Sequence, residues 1–202
     1  MSNHSLINLL KIAITPSLIL YISILVITSA AGIETGLVLR DLLQTCNYPI
    51  GVGMLSNLGI ILWAAASAIS LFSSNPTLIQ NRPYRLLLII GGILSMLLCL
   101  DDLFLLHDMQ QINQDILYTT YIILGLFIML KFRSLIKEVD IISFIIATLL
   151  LALSIISDIF QDFFPINYET VQILEEGFKF VGITCWLYFW SKTSIKAISY
   201  KP

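Results

Sequence analysis

Residues 85–108 read RLLLIIGGILSMLLCLDDLFLLHD. No charged residue lies between Arg85 and Asp101, and Leu103–Leu106 are apolar again. A helix needs about 20 mostly apolar residues to cross a bilayer. The stretch therefore predicts a membrane-spanning helix over residues 86–106, with two adjacent carboxylates near one end.

The composition of the whole chain supports a membrane protein. Hydrophobic residues make up 57% of the 202 residues and charged residues only 12%, whereas soluble domains carry roughly 25% charged residues. The mean hydropathy is +0.90. The formal net charge is -2 without a basic run, which excludes a nucleic-acid partner. The expected partner is the lipid bilayer.

Further apolar runs predict a bundle of transmembrane helices. We expect an all-α fold with short loops and a single transmembrane domain over residues 1–202. The six helices are predicted at about residues 12–33, 52–72, 86–106, 116–130, 141–157 and 171–190.

Basic residues indicate the orientation of these helices. Nine of the eleven Lys and Arg residues precede helix 1, follow helix 6, or lie in the loops between helices 2 and 3 or 4 and 5. By the positive-inside rule, both termini are cytoplasmic. We expect a multi-pass protein of a bacterial inner membrane.

A cleaved signal peptide is the alternative for helix 1. Lys11, an apolar stretch and the small residues Ser29-Ala30-Ala31 resemble a signal peptide cut after Ala31. Five helices would then remain, with the new amino terminus outside. The apolar stretch of about 20 residues is longer than the usual signal core of roughly 7–15 residues.

The acidic residues concentrate on the predicted outer side, and two of them lie at unusual depth. Asp101 and Asp102 fall about 6–8 Å inside the predicted end of helix 3. A carboxylate at that depth costs several kcal/mol unless it is paired, protonated or metal-bound. The pair is therefore a candidate functional site.

The helical repeat sorts the neighbours of this pair. On a straight helix Asp101 and Asp108 share a face, and His107 lies about 120° away from them. A turn after Leu106 would fold His107 back towards the carboxylates.

Two later helices carry polar stripes as well. Asp158 and Asp162 share one face of helix 5, and Glu175 and Lys179 share one face of helix 6. The order of Glu175 and Lys179 favours an ion pair within the helix. Such a pair serves either a functional site or the attachment of helix 6 to its neighbours.

Carboxylates with one histidine suit hard or borderline divalent metal ions. A bound ion would activate water for hydrolysis. The candidate catalytic residues are Asp101, Asp102, His107 and Lys179. The candidate metal ligands are Asp101, Asp102, His107, Asp108, Asp158, Asp162, Glu175 and Glu176.

Three segments carry a resemblance to known proteins. They are LSNLGI at residues 55–60 followed by Trp63, LDDLFLLHD at residues 100–108, and EEGFK at residues 175–179 followed by Gly182. They resemble segments of uncharacterised bacterial multi-pass membrane proteins, which implies a shared site without naming a reaction. In general plan the chain also resembles ceramidase-like membrane hydrolases. Those enzymes need several histidines for a metal site, whereas this chain has only His4 and His107.

Three functions are compatible with these features. The first is a metal-assisted, membrane-embedded hydrolase with a lipid-like substrate. The second is a small cation or proton transport protein, although the inner halves of the predicted helices hold almost no ionisable residue. The third is a structural or assembly subunit, in which the acidic residues only join helices. The sequence leaves open whether the protein is an enzyme.

Overall fold

The computed structural model describes residues 3–39, 51–108, 113–160 and 167–200. Within these ranges the chain is helical and contains no strand, which confirms the all-α prediction. In the described part, five helices are long and apolar enough to cross a membrane. They are Leu6–Ala30, Met54–Ser73, Arg82–Phe104, Gln114–Lys131 and Ile141–Ile159.

A helix lies in each of the ranges predicted from the sequence. The α-helices are α1 (Asn3–Leu9), α2 (Thr15–Ala30), α3 (Thr35–Leu39), α4 (Met54–Ser73), α5 (Arg82–Phe104), α6 (Gln114–Lys131), α7 (Arg133–Val139), α8 (Ile141–Ile159) and α9 (Tyr168–Ser199). A π-helical segment, Leu10–Ile14, joins α1 to α2, and a 3-10 turn, Leu106–Asp108, follows α5. The last helix, α9, is longer than the predicted 171–190 and is not among the five apolar helices.

Pro16 accounts for the π-helical segment before α2. Proline lacks a backbone N–H, and its ring clashes with the carbonyl four residues earlier, here that of Ile12. A local widening of the helix relieves such a clash. The apolar helix therefore continues through Leu10–Ile14 without a break.

Glycine ends α2 earlier than the hydrophobic pattern predicts. Gly32 has a φ of 75°, a conformation that glycine adopts without steric cost. The N–H of Gly32 bonds the Ser29 carbonyl and that of Ile33 bonds the Thr28 carbonyl, each at 3.0 Å. This pair of bonds is a Schellman motif, so α2 stops at Ala30 and not at the predicted residue 33.

The chain divides into two compact units. Unit 1 comprises Met1–Gly59 and Ile146–Cys185, and unit 2 comprises Ile60–Ile145 and Trp186–Pro202. The candidate catalytic residues are divided between the two units. Asp101 and His107 belong to unit 2, and Lys179 belongs to unit 1.

In unit 1, Tyr21 joins α2 to α9. Its hydroxyl donates a hydrogen bond to the Ile173 carbonyl at 2.5 Å, and its ring stacks on Phe180 with 6.3 Å between centroids. Gly177 packs directly against the same ring. The small residue lets α9 approach the tyrosine closely, as small residues do at membrane helix interfaces.

In unit 2, tryptophans of α9 form the core against α5. Trp186 and Trp190 are buried and meet edge to face with 5.3 Å between ring centroids. The Trp186 indole N–H donates to Ser95 Oγ at 2.8 Å. A Cβ atom at Gly91 would clash with the Trp190 ring. The absence of a side chain at Gly91 therefore makes room for this tryptophan.

Replacing Gly91 by alanine is expected to destabilise the protein. The added methyl group overpacks the contact with Trp190, which typically costs about 1–3 kcal/mol. The control is Gly125→Ala in α6, where no atom lies within 4 Å of the added Cβ and helix propensity alone favours alanine by roughly 0.5–1 kcal/mol. Thermal unfolding in detergent should therefore show opposite shifts for the two variants. A higher melting temperature for Gly91→Ala would contradict the packing of Trp190 on α5.

Candidate functional site

Asp101 and Asp102 lie in the last turn of α5 and are both buried. Only 4% of Asp101 and 7% of Asp102 is exposed. Carboxylates this deeply buried need hydrogen-bond or ion-pair partners. The partners of the two residues differ, and that difference separates their roles.

The helix that carries them ends two residues earlier than predicted. Its last residue is Phe104, and Leu105 follows with a φ of 51°. This left-handed conformation costs a branched residue such as leucine about 1–2 kcal/mol. The N–H of Leu105 bonds the Asp101 carbonyl, so the chain turns sharply at this point. The single helical face expected for Asp101 and Asp108 therefore does not form, because Asp108 lies in the 3-10 turn.

The turn brings His107 back to Asp101. The His107 backbone N–H donates to Asp101 Oδ1 at 3.0 Å, and His107 Nδ1 lies 3.1 Å from the same oxygen. Both side chains are largely buried, with 14% of His107 and 6% of Asp101 exposed. The fold-back that the sequence suggested after Leu106 thus occurs after Phe104. The product is a buried carboxylate–imidazole pair, which we call the Asp101–His107 dyad.

Tyrosines of α6 cover this dyad. The Tyr121 hydroxyl faces both carboxylates and is positioned to hydrogen-bond Asp101. The Tyr118 ring lies 6.1 Å from the His107 ring between centroids. Gln114 Nε2 donates to the Tyr118 hydroxyl at 3.2 Å. Two tyrosines of α6 therefore lie beside the dyad, Tyr121 near Asp101 and Tyr118 near His107.

Asp102 has a different partner. Trp63 of α4 donates its indole N–H to Asp102 Oδ2 at 2.9 Å, and both residues are buried. Tryptophan is a hydrogen-bond donor only, so this bond fixes the position of the carboxylate without supplying a proton-transfer partner. Asp102 therefore ties α5 to α4. In the sequence, Trp63 was noted only because it follows the LSNLGI segment, which resembles segments of uncharacterised membrane proteins. Its bond to Asp102 was not predicted.

The remaining candidates belong to unit 1 or lie outside the described residues. Asp158, Glu175, Glu176 and Lys179 each take part in polar or electrostatic contacts within the described chain. The two glutamates lie within electrostatic range of the Tyr21 hydroxyl. The ion pair between Glu175 and Lys179 stays a prediction, and Asp162 lies outside the described residues.

The metal site stays a prediction, because the Asp108 side chain and Asp162 lie outside the residues that the structure describes. Among those residues, no three His, Cys, Asp or Glu side chains are close enough together to hold a metal ion. A zinc site needs at least three protein ligands. The Asp101–His107 dyad supplies one imidazole nitrogen and one carboxylate, so it is better suited to proton transfer than to metal binding by itself.

A partly buried ion pair in unit 2 was not predicted from the sequence. Lys192 Nζ lies 2.6 Å from Asp140 Oδ2, and only 2% of the Asp140 side chain is exposed. Asp140 Oδ1 also accepts the Ser143 backbone N–H at 3.2 Å, which caps the start of α8. The sequence assigned both charges to cytoplasmic loops. An aspartate directly before an apolar helix was the available signal for the cap, but nothing in the sequence indicated Lys192 as its partner.

An open groove lies on unit 1 between α2, α3 and α9. It has a volume of about 470 Å³, within the range of ligand pockets. Most of its wall is apolar, with one hydroxyl from α2 and one from α3. The lining residues are Leu25, Val26, Ser29, Ala30, Thr35 and Ile173.

A family model described as Domain of unknown function (DUF8692) matches residues 14–193. The chain belongs to this family. The DUF8692 match includes α5, with both aspartates, and most of α9. Comparisons with curated proteins and with solved structures found no match. The family assignment covers both units and leaves the reaction to be argued from geometry.

The bond between Trp63 and Asp102 should appear as an energetic coupling. Trp63→Phe removes the N–H donor, and loss of a hydrogen bond to a buried charged group typically costs about 1.5–3 kcal/mol. The same change made in an Asp102→Leu background removes no such bond and should cost less. Free energies of unfolding for the two single variants and the double variant measure the coupling, which we expect between about 0.5 and 3 kcal/mol. Additive effects would show that the bond contributes nothing.

Proposed function

We propose that this protein is a membrane-embedded hydrolase of lipid-like substrates, with the Asp101–His107 dyad as its general acid–base group. The observation that carries the proposal is the 3.1 Å contact between His107 Nδ1 and Asp101 Oδ1. A carboxylate at one ring nitrogen orients a histidine and fixes its tautomer, so that the other nitrogen exchanges the proton with the reactants.

The dyad would act on water and a carbonyl group in two proton transfers. His107 Nε2 takes a proton from water as the water oxygen bonds to the carbonyl carbon of the substrate. The same nitrogen returns that proton to the leaving group as the bond to the leaving group breaks. Asp101 is a positioning residue that stabilises the charged imidazole, and Tyr121 is placed to hold Asp101.

A metal-assisted form uses the same pair. Histidines that bind metals commonly donate their other ring N–H to a carboxylate, and the contact between His107 Nδ1 and Asp101 Oδ1 has the distance for such a bond. The further ligands would come from outside the dyad. We therefore assign proton transfer to the dyad first and treat a divalent metal as an addition to it.

A lipid-like substrate agrees with two separate features, the position of the dyad in unit 2 and the lining of a groove in unit 1. Asp101 is in the last turn of a helix that is long and apolar enough to cross a membrane. The groove of unit 1 has an apolar wall with Ser29 and Thr35 as its hydroxyls. Such a lining suits an acyl chain with a polar group at one end.

One observation favours a structural role for part of this region. The Trp63 indole satisfies Asp102 in the manner of a helix-to-helix bond. A structural subunit would need the same bond and would not need His107. The effect of changing His107 therefore separates an enzyme from a structural subunit.

We propose six membrane crossings, both termini in the cytoplasm, and a bacterial inner membrane as the location. The basis is the distribution of Lys and Arg among the loops together with α9 as a sixth crossing. Reporter fusions after Arg82, Arg133 and Pro202 should therefore report the cytoplasm. Fusions near Asn47, Asn113 and Tyr168 should report the opposite side. A carboxyl terminus on the outside would overturn this topology and the outer position of the dyad.

The catalytic proposal predicts a specific effect of His107. The purified protein in vesicles of total bacterial lipid should release fatty acid or head-group products, measured by mass spectrometry. General acid–base groups contribute about 10²–10⁴-fold to rate, so His107→Gln should lower the release by at least about 10²-fold. Asp101→Asn should also lower it, because the imidazole loses its orienting carboxylate.

Lys196→Gln is the matched control for that experiment. Lys196 forms an exposed ion pair with Glu138 at 3.3 Å, far along the chain from the dyad, and its loss should leave the release unchanged. Chelator treatment separates the two forms of the proposal, since only the metal-assisted form loses activity. No product from any lipid class, or equal release by His107→Gln and the wild type, would overturn the enzymatic function.

A further inference from the structure

Among the residues that the structure describes, four buried side-chain polar atoms of unit 2 form no hydrogen bond, and the three besides the Tyr84 hydroxyl belong to α8 and α9. Ser143 Oγ, Trp190 Nε1 and Ser194 Oγ are buried and form no hydrogen bond with any other residue that the structure describes. Ser143 and Trp190 are 0% exposed and Ser194 is 3% exposed. Most buried polar atoms of native proteins have a partner, so each exception requires an explanation.

The two serines differ from other buried hydroxyls of the same unit. Ser70, Ser95 and Thr193 each donate to the carbonyl four residues earlier in their own helix, at 2.8–2.9 Å. This carbonyl is the default partner of a serine or threonine in a helix. Ser143 and Ser194 form no such bond. Ser143 lies in the first turn of α8, where the residue four positions earlier, Val139, is the end of α7.

The helix register places the three groups in one layer of unit 2. Lys192 of α9 contacts Asp140 before α8, and Phe189 contacts Phe144 one turn further along α8. These contacts make the two helices antiparallel, with Ser143 at the level of Trp190.

Ser194 lies on the same face of α9 as Trp190, one turn or about 6 Å further towards its carboxyl end. The Trp190 ring covers Gly91 of α5. The three unpartnered groups therefore lie within about one helical turn of depth, next to the ion pair of Asp140 and Lys192.

Leaving three buried polar groups without a hydrogen bond would cost the folded protein a large part of its stability. An unsatisfied buried polar group costs about 1–3 kcal/mol in a protein. In a membrane protein the lipid offers no hydrogen bond to offset it. The indole can only donate, whereas a serine hydroxyl can both donate and accept. Water is the small molecule that satisfies both kinds of group at once.

We propose that ordered water binds in this layer, hydrogen-bonded to Ser143, Trp190 and Ser194. The site is distinct from the Asp101–His107 dyad and does not depend on the function proposed for it. Water here reaches the level of Gly91 from the end of unit 2 that carries Lys192. One turn further, the bond between Trp186 and Ser95 closes the core, because both of its polar groups are already satisfied.

The first test observes the water at the tryptophan. The chain has three tryptophans, so protein labelled with ¹⁵N-tryptophan in nanodiscs gives three indole signals, which single Trp→Phe variants assign. We expect a cross-peak between the Trp190 indole proton and bound water. Trp186 is the internal control, because its indole proton is bonded to Ser95 and should show no such peak. Absence of the Trp190 peak overturns the proposal.

The second test uses the sign of a stability change. If water binds the hydroxyls, Ser143→Ala and Ser194→Ala remove a hydrogen bond and should lower the melting temperature. If the hydroxyls are bare, alanine removes an unsatisfied group, and the melting temperature should rise or stay unchanged.

Ser70→Ala is the matched control for the second test, because Ser70 is equally buried and bonds its own helix. The two serine variants should fall below it in melting temperature. Melting temperatures equal to or above that of Ser70→Ala for both serine variants overturn the proposal independently of the first test.

Discussion

The structure of this chain depends on one constraint, that a polar atom inside an apolar bundle must find its partner within the protein or in bound water. The surrounding hydrocarbon offers no hydrogen bond, and two of the buried carboxylates that the structure describes take a donor from a distant part of the chain. Asp102 accepts a hydrogen bond from the Trp63 indole, and Asp140 forms an ion pair with Lys192. These bonds join segments that are distant in sequence, and they fix which helix faces meet.

Tryptophan satisfies this constraint in unit 2 in a way that smaller residues cannot. An indole fills a large volume and donates one hydrogen bond from its edge. Trp186 uses that donor on Ser95, while its ring packs against Trp63 with 6.2 Å between centroids. Trp190 needs the space above Gly91. The helix α9 is rich in aromatic residues, and its charged and polar residues keep it outside the five described helices that are long and apolar enough to cross a membrane.

The two adjacent aspartates show how one constraint yields two roles. Successive residues of a helix point about 100° apart, so Asp101 and Asp102 meet different neighbours. Asp102 meets an indole that cannot exchange a proton with it under ordinary conditions, whereas Asp101 meets an imidazole that can. The strained turn at Leu105 brings that imidazole into place. Backbone strain of this kind is found where function offsets its cost, which agrees with assigning proton transfer to the Asp101–His107 dyad.

By itself the sequence determined the class of the fold, the positions of the long helices and the placement of Asp101 and Asp102 inside an apolar run. Hydrophobic length and the cost of burying a charge are local properties, so they can be read without a structure. The ends of the helices were harder to predict from the sequence, because α2 and α5 end near Gly32 and Leu105, inside apolar runs.

Only the tertiary structure decided which partner each polar group takes. Two of the carboxylates proposed as metal ligands have different partners in the structure: Asp101 contacts His107, and Asp102 accepts a hydrogen bond from Trp63. The ion pair of Asp140 and Lys192 is also visible only in the structure. Partner choice depends on helix rotation and register, which arise from packing between residues far apart in the chain. Periodicity within one helix carries no information about those quantities.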